Sequence, residues 1–134
     1  VDPLLLEAIG ITESQLRPGA LNHNRDPAGN ILSSDYGVMQ INTGNANRLV
    51  SLGLIQRPED LLDDACFNVQ AGAWVLAQHL RVCGNTWRCL GSYNAGFAPS
   101  KRQETRRLRY AQKIRTVYNR LKALGASPAH VAIR

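Results

Sequence analysis

The sequence predicts a mainly α-helical, all-α protein with no more β-structure than a short hairpin or loop at residues 22–34. Three observations predict it. Aromatic residues make up only 6% of the chain and β-branched runs are scarce, whereas strands are rich in both. Apolar residues recur at three- and four-residue spacing between recognisable helix starts and stops. The stretch that lacks this spacing, Asn22 to Ser34, is crowded with Asn, Asp, Pro, Gly and Ser, the residues of turns. A chain of 134 residues, 44% of them apolar, is long enough to bury a real core. One domain over residues 1–124 and a loose tail over 125–134 are expected. No apolar run approaches the roughly 20 residues that span a bilayer, so no transmembrane segment is expected.

Asp2 and Pro3 form an N-cap and first-turn pair, and Leu4, Leu5, Ala8, Ile9 and Thr12 continue at helical spacing. This helix must stop before Pro18, because the residue preceding a proline avoids helical dihedrals. Glu13 and Ser14 therefore sit in its last turn, where the negative end of the macrodipole disfavours ionisation of a carboxyl. Dry surroundings would raise the Glu13 pKa further and suit it to general acid work. On this segment alone, a solvated glutamate at a helix end is the commoner outcome.

Within Asn22–Ser34, Asn22, Asn24 and Asp26 alternate as in a calcium loop. Pro27 stands where the loop needs glycine and Ser33 where it needs a bidentate glutamate, so calcium is rejected. Next comes S-S-D-Y-G-V-M-Q-I-N at Ser33–Asn42, with too few apolar residues for a long helix. A short helix from about Asp35 is expected, capped by Ser34 or Asp35. Gln40 and Asn42 would project beside Met39, and amides next to a soft apolar group suit a sugar. Read alone, the same residues fit a cap, two solvated amides and a core methionine.

Thr43 caps a helix through Leu52 that Gly53 ends. Pro58, Glu59 and Asp60 begin a short helix. Asp63 or Asp64 begins a longer one to about Val82, with Val69, Gly72, Ala73, Leu76 and Leu80 inward. Asn85 or Thr86 starts a segment holding Trp87, Leu90 and Tyr93, in which Gly91 and Gly96 bracket Tyr93 and Asn94 and allow close backbone approach. After Pro99 a final helix is expected from about Gln103 to Leu124, with Leu108, Ala111, Ile114, Val117, Leu121 and Leu124 inward and Gly125 as its stop.

Cysteines number three. Cys83 and Cys89 enclose a short loop with Gly84 and Asn85, fit for a local disulfide in an oxidising compartment. Cys66 is either a buried thiol or has a partner before Val1. No histidine lies at zinc spacing, and neither a metal nor a cofactor is implied. The net charge of +6 is concentrated between Lys101 and Arg115. Such a run is most often a solvated helix face. It could otherwise meet nucleic acid, an anionic membrane or an anionic wall polymer. No nucleic-acid motif accompanies it, and nucleic acid is not expected as a partner.

Three segments occur in order: I-T-E-S at Ile11–Ser14, G-V-M-Q-I-N at Gly37–Asn42 and S-Y-N-A-G at Ser92–Gly96. Together they resemble the motifs of the soluble lytic transglycosylases, which share the lysozyme fold. The stretch Leu61–Trp74, L-L-D-D-A-C-F-N-V-Q-A-G-A-W, resembles the small members that serve secretion, conjugation and pilus machines. The resemblance implies a lysozyme-like fold and a periplasmic enzyme that acts on peptidoglycan glycan strands. The bond cleaved would be the β-1,4 bond between N-acetylmuramic acid and N-acetylglucosamine. It also implies that Glu13 is the catalytic acid/base, that Ser14 helps hold it, and that Met39, Gln40, Asn42, Tyr93 and Asn94 contact substrate. One segment departs from most of that family. S-D-Y-G-V-M-Q-I-N is also similar to S-T-D-Y-G-I-L-Q-I-N of animal lysozymes, whose aspartate is the second catalytic carboxylate. Asp35 would then support the developing cation, leaving both an anhydro-sugar product and hydrolysis open. A non-catalytic wall-binding or assembly module is the remaining alternative.

Overall fold

The computed structural model describes residues 1–125. Helix α1 (Pro3–Ser14) leads into strands β1 (Leu21–Arg25), β2 (Ile31–Tyr36) and β3 (Ile41–Asn42). Helix α2 (Thr43–Ser51), a 3-10 turn (Pro58–Leu62), α3 (Ala65–Cys83), the single turns α4 (Trp87–Leu90) and α5 (Ser92–Ala95), and the long α6 (Lys101–Gly125) follow. The expected mainly helical fold with a short hairpin is found. Residues 126–134, most of the expected tail, lie outside the described residues. Two compact units are formed: Glu13–Trp74, and Val1–Thr12 with the chain from Val75.

In Glu13–Trp74 the three strands make an antiparallel sheet in the order β1-β2-β3. The Asn22–Ser34 stretch thus resolves to a hairpin. The Asp26 carboxylate closes its turn, accepting from Asn30 N (2.8 Å) and Asn30 Nδ2 (3.1 Å). The first of these bonds leads in holding the Asp26 pKa below its ordinary value. The helix expected from Asp35 is not there. Asp35 is a strand residue, pairing with Asn22 on one side and Asn42 on the other. Alternation decides the faces: Ser34, Tyr36 and Ile41 are buried, while Ser33 and Asp35 point the opposite way, with Asn22, Asn24 and Asn42 opposite them on the neighbouring strands.

Thr43 does not cap α2. Asn42 does, its Oδ1 accepting from Gly44 N at 3.2 Å. The Thr43 hydroxyl instead accepts from Ser34 N (2.7 Å) and donates to Ser34 O (3.1 Å), extending the β2-β3 pairing with a side chain. Asp64 starts α3, its carboxylate accepting from Phe67 N at 3.0 Å. Cys66 is exposed and is not the buried thiol that was one expectation.

In the other unit Asp2 caps α1 through Leu4 N (2.9 Å) and accepts from the Tyr118 hydroxyl (2.6 Å), tying the start of α1 to α6. Cys83 and Cys89 form the expected disulfide, with a Cα–Cα distance of 5.6 Å. Thr86 caps α4 by accepting from Cys89 N at 3.1 Å. Gly91 lies against the backbone of Arg107, where a Cβ would collide with the Arg107 carbonyl group. The inward face of α6 differs from the expected one. Ala111, Ile114 and Leu121 are buried, but Leu108 and Leu124 are about half exposed, and Arg107 and Tyr110 take inward positions instead.

Candidate active site

Helix α1 carries Glu13 in its last turn, as expected. It ends at Ser14, before Pro18, where Gln15 and Leu16 both adopt left-handed dihedrals (φ 55° and 60°). For residues with a Cβ this conformation costs roughly 1–2 kcal/mol each, so surrounding contacts must hold it. Ser14 supplies one: its buried hydroxyl donates to Val38 O at 2.7 Å. Arg17 caps the helix by donating from Nε to Ser14 O at 3.0 Å. Glu13, half-buried, is therefore fixed on a helix end that is tied to the loop between β2 and β3.

That loop is clamped from both sides. Gly37 has φ 78°, and a Cβ there would meet the Asn68 amide and Leu61 O. Asn68 is fully buried. Its Oδ1 accepts from Met39 N (2.8 Å), and its Nδ2 donates to Tyr36 O (2.9 Å) and Leu61 O (3.1 Å). Met39 has no exposed surface and lies over Gly72, where a Cβ would come within 2.6–2.8 Å of three of its side-chain atoms. The Met39 side chain is enclosed and packs on Gly72. Gln40 is likewise occupied. Its own φ is 51°; its Nε2 donates to Gly37 O (3.0 Å) and Ala20 O (3.2 Å), and its Oε1 accepts from Asn22 at 2.7 Å. An amide so engaged braces the loop.

Asp35 is half-buried and has a built environment. Asn42 Nδ2 donates to its Oδ1 (3.0 Å), and Asn24 Nδ2 to its Oδ2 (3.1 Å). Each carboxylate oxygen thus has one amide donor, from strands on opposite sides. Asn42 caps α2 with its other end, so the orientation of its amide is not free. The exposed side of the sheet around Asp35 is a surface of amides and hydroxyls.

Tyr93 and Asn94 belong to the other unit, on α5. Asn94 is exposed and Tyr93 half-buried, its ring stacked on Tyr110 at 6.5 Å between centroids. Ser92 beneath them donates to Cys89 O (2.6 Å) and lies 2.7 Å from His79 Nδ1. With its one hydroxyl proton already used, Ser92 must accept from an Nδ1–H of His79. Burial pushes the His79 pKa down, which favours the neutral ring. The chain after α5 hangs on Arg107, a buried side chain that donates to Gly96 O (3.0 Å), Ala98 O (2.8 Å) and Glu104 Oε2 (2.9 Å).

The residues that sequence reasoning missed are Asn24, Asn68, Gly72 as the seat of Met39, and Arg107. Asn68 had a signal, being one of two amides, with Gln70, in the otherwise apolar run A-C-F-N-V-Q-A-G-A-W. Arg107 had none, since it is one cation among many in its helix.

The description "Transglycosylase SLT domain" matches residues 1–116. The chain belongs to that family. This SLT domain is 45% identical over 124 residues to a "Peptidoglycan-binding-like protein" of Escherichia coli O157:H7, covering 92% of the chain and 73% of the relative. It is 40% identical over 126 residues to "Invasion protein IagB" of Salmonella typhimurium (strain SL1344), covering 94% and 73%. It is 37% identical over 123 residues to an "X polypeptide" of Escherichia coli, covering 92% and 69%. No solved structure gives a significant match. Among the described residues of the SLT domain, no helix is long and apolar enough to cross a membrane, and no group of three or more His, Cys, Asp or Glu could hold a metal ion.

Proposed function

We propose that this SLT domain is a peptidoglycan lytic transglycosylase in the periplasm that cleaves the β-1,4 bond between N-acetylmuramic acid and N-acetylglucosamine. The observation that carries this reading is the bond from Ser14 to Val38 O, which locks the helix end bearing Glu13 onto the loop joining the strands of the Asp35 sheet. In the first step Glu13 gives its proton to the glycosidic oxygen as the C1–O bond breaks and positive charge develops at C1. In the second, the Glu13 carboxylate takes the proton of the muramic acid 6-hydroxyl, and O6 bonds to C1. A 1,6-anhydro ring closes, Glu13 regains its proton, and no water is consumed. Asp35 faces the developing cation as a negative charge, and Asn42, Tyr93 and Asn94 contact the sugars.

Glu13→Gln is expected to remove cleavage of purified peptidoglycan, a loss of at least about 10²–10⁴-fold for a missing acid/base, with the folded state unchanged by circular dichroism. Retention of most activity would end the assignment. A second reading, hydrolysis by a Glu13/Asp35 pair, is favoured by the two amides that hold Asp35. The mass of released muropeptides separates the two, since an anhydro end is lighter than a reducing end by one water. A wall-binding assembly module with no activity is supported by the name of the Escherichia coli O157:H7 relative, a peptidoglycan-binding-like protein, and clearing of peptidoglycan by purified protein would exclude it. Service to a secretion, conjugation or pilus machine is part of the proposal, supported by the resemblance of Leu61–Trp74 and by a relative named as an invasion protein.

A further inference from the structure

Charge is segregated in this chain. Nine of the 16 basic residues but only one of the 10 acidic residues lie on α6, so the rest of the molecule is slightly acidic. Within α6 the cations are ordered. At about 100° per residue, Arg102, Arg106, Arg109, Lys113 and Arg120 fall within about 60° of one another, in a line about 27 Å long. All five are exposed, and among the described residues no ion pair joins any of them to a carboxylate. Glu104, the acid of this helix, faces away and is held by Arg88 and Arg107. Like charges on successive turns repel, and a helix bears that cost without counter-charges of its own. Beside the line run Thr105, Gln112, Thr116 and Asn119, exposed and uncharged. A groove of about 360 Å³ follows the same side, lined by Gln112, Lys113, Thr116, Val117 and Thr12. Thr12 is next in sequence to Glu13.

We propose that this face of α6 is an exosite that grips the carboxylates of peptidoglycan stem peptides along a glycan strand. A linear row of cations flanked by hydroxyl and amide side chains complements a polymer that carries carboxylates at intervals and sugar or peptide hydroxyls and amides between them. The apolar side of α6, with Tyr110, Ala111, Ile114 and Leu121, is buried. It therefore has no apolar stripe to insert into lipid, which a membrane-lying helix requires. No base-reading motif accompanies the row, and DNA would be held by charge alone. The inference rests on the reading of the domain as acting on peptidoglycan.

Binding is to be measured by co-sedimentation with purified sacculi, using Glu13→Gln protein so that the wall is not consumed. Retention is expected at low ionic strength and release as salt rises, because exposed charges are screened within about 10 Å at 0.1 M. R102Q/R106Q/R109Q/K113Q is expected to weaken retention about tenfold or more. R102K/R106K/R109K should keep it, and sacculi whose carboxylates are capped as neutral amides should fail to hold the parent. Equal binding by the glutamine variant with an unchanged unfolding midpoint, or full retention on capped sacculi, would overturn the proposal. Tighter retention on anionic vesicles or duplex DNA than on sacculi would overturn it as well. In the Glu13 background, the quadruple variant should cleave soluble, carboxylate-capped wall fragments as fast as the parent. Absence of cleavage by both would count against the catalytic reading alone, while sedimentation still decides the exosite.

Discussion

Asn68 uses its buried amide on three backbone groups of the site loop and its neighbour: Met39 N, Tyr36 O and Leu61 O. Asn68→Ala would leave these groups without partners in a dry place, at about 1–3 kcal/mol for each one left unsatisfied. A loss of roughly 3 kcal/mol is expected in urea unfolding, since water entering the vacated volume recovers part of the sum. Cleavage should fall with it, because the loop also anchors the helix end that bears Glu13. Asp35 poses a different question. Asn24 and Asn42 each donate to one of its oxygens, so in Asp35→Asn one of the two amides must face an NH2 group. The variant is expected to lose about 10²–10³ in rate, the usual worth of one preorganised electrostatic group. An unchanged rate would reduce Asp35 to a structural residue of the sheet.

Among the elements, the join between α4, α5 and α6 carries the clearest pH dependence. Arg88 donates both Nε and an Nη–H to the Glu104 carboxylate (2.7 and 2.9 Å), and Arg107 adds a third bond. The Arg88 hydrogen bonds first, then that of Arg107, lower the Glu104 pKa from 4.5 to about 2. A carboxylate whose folded pKa is depressed binds fewer protons folded than unfolded. Its stabilisation is present in full above pH 4.5 and is lost as pH falls through about 2. Glu104→Gln should therefore show a smaller fall in thermal midpoint between pH 5 and pH 2 than the parent, by about the share of one titrating group. Arg107 would also lose its counter-charge, so Gly96 and Ala98 are expected to loosen first in hydrogen exchange.

For the molecule as a whole, the distribution of charge matters more than its sum of +6. A helix with nine cations on an otherwise slightly acidic chain is a directed field, and fields of that kind act mainly on encounter with a charged partner. Initial rates on intact sacculi are expected to fall severalfold between about 0.05 and 0.5 M salt, while rates on soluble uncharged fragments change little. Equal salt dependence on both substrates would place the effect inside the site and not on α6.

Much was legible locally. Asp2 and Pro3 at the start of α1, Asp64 before α3, Thr86 before α4 and the Cys83–Cys89 loop are short-range signals, and each appears in the fold. Glu13 at a helix end was legible for the same reason. The continuation of the hairpin strand through Asp35 and Tyr36, where a helix start was expected, was not, since its partners lie across a turn and no local preference announces pairing. Nor were the jobs of Met39 and Gln40, because a soft side chain and an amide suit a sugar, a core or a brace equally. The helix period on α6 gave Ala111, Ile114 and Leu121, but which neighbouring positions turn inward depends on what packs there, and Arg107 displaced Leu108. Chain-local chemistry thus set where the elements begin and end and where the candidate acid stands. Pairing and burial, which depend on residues distant in sequence, set which polar side chains hold the site and which remain to face a substrate.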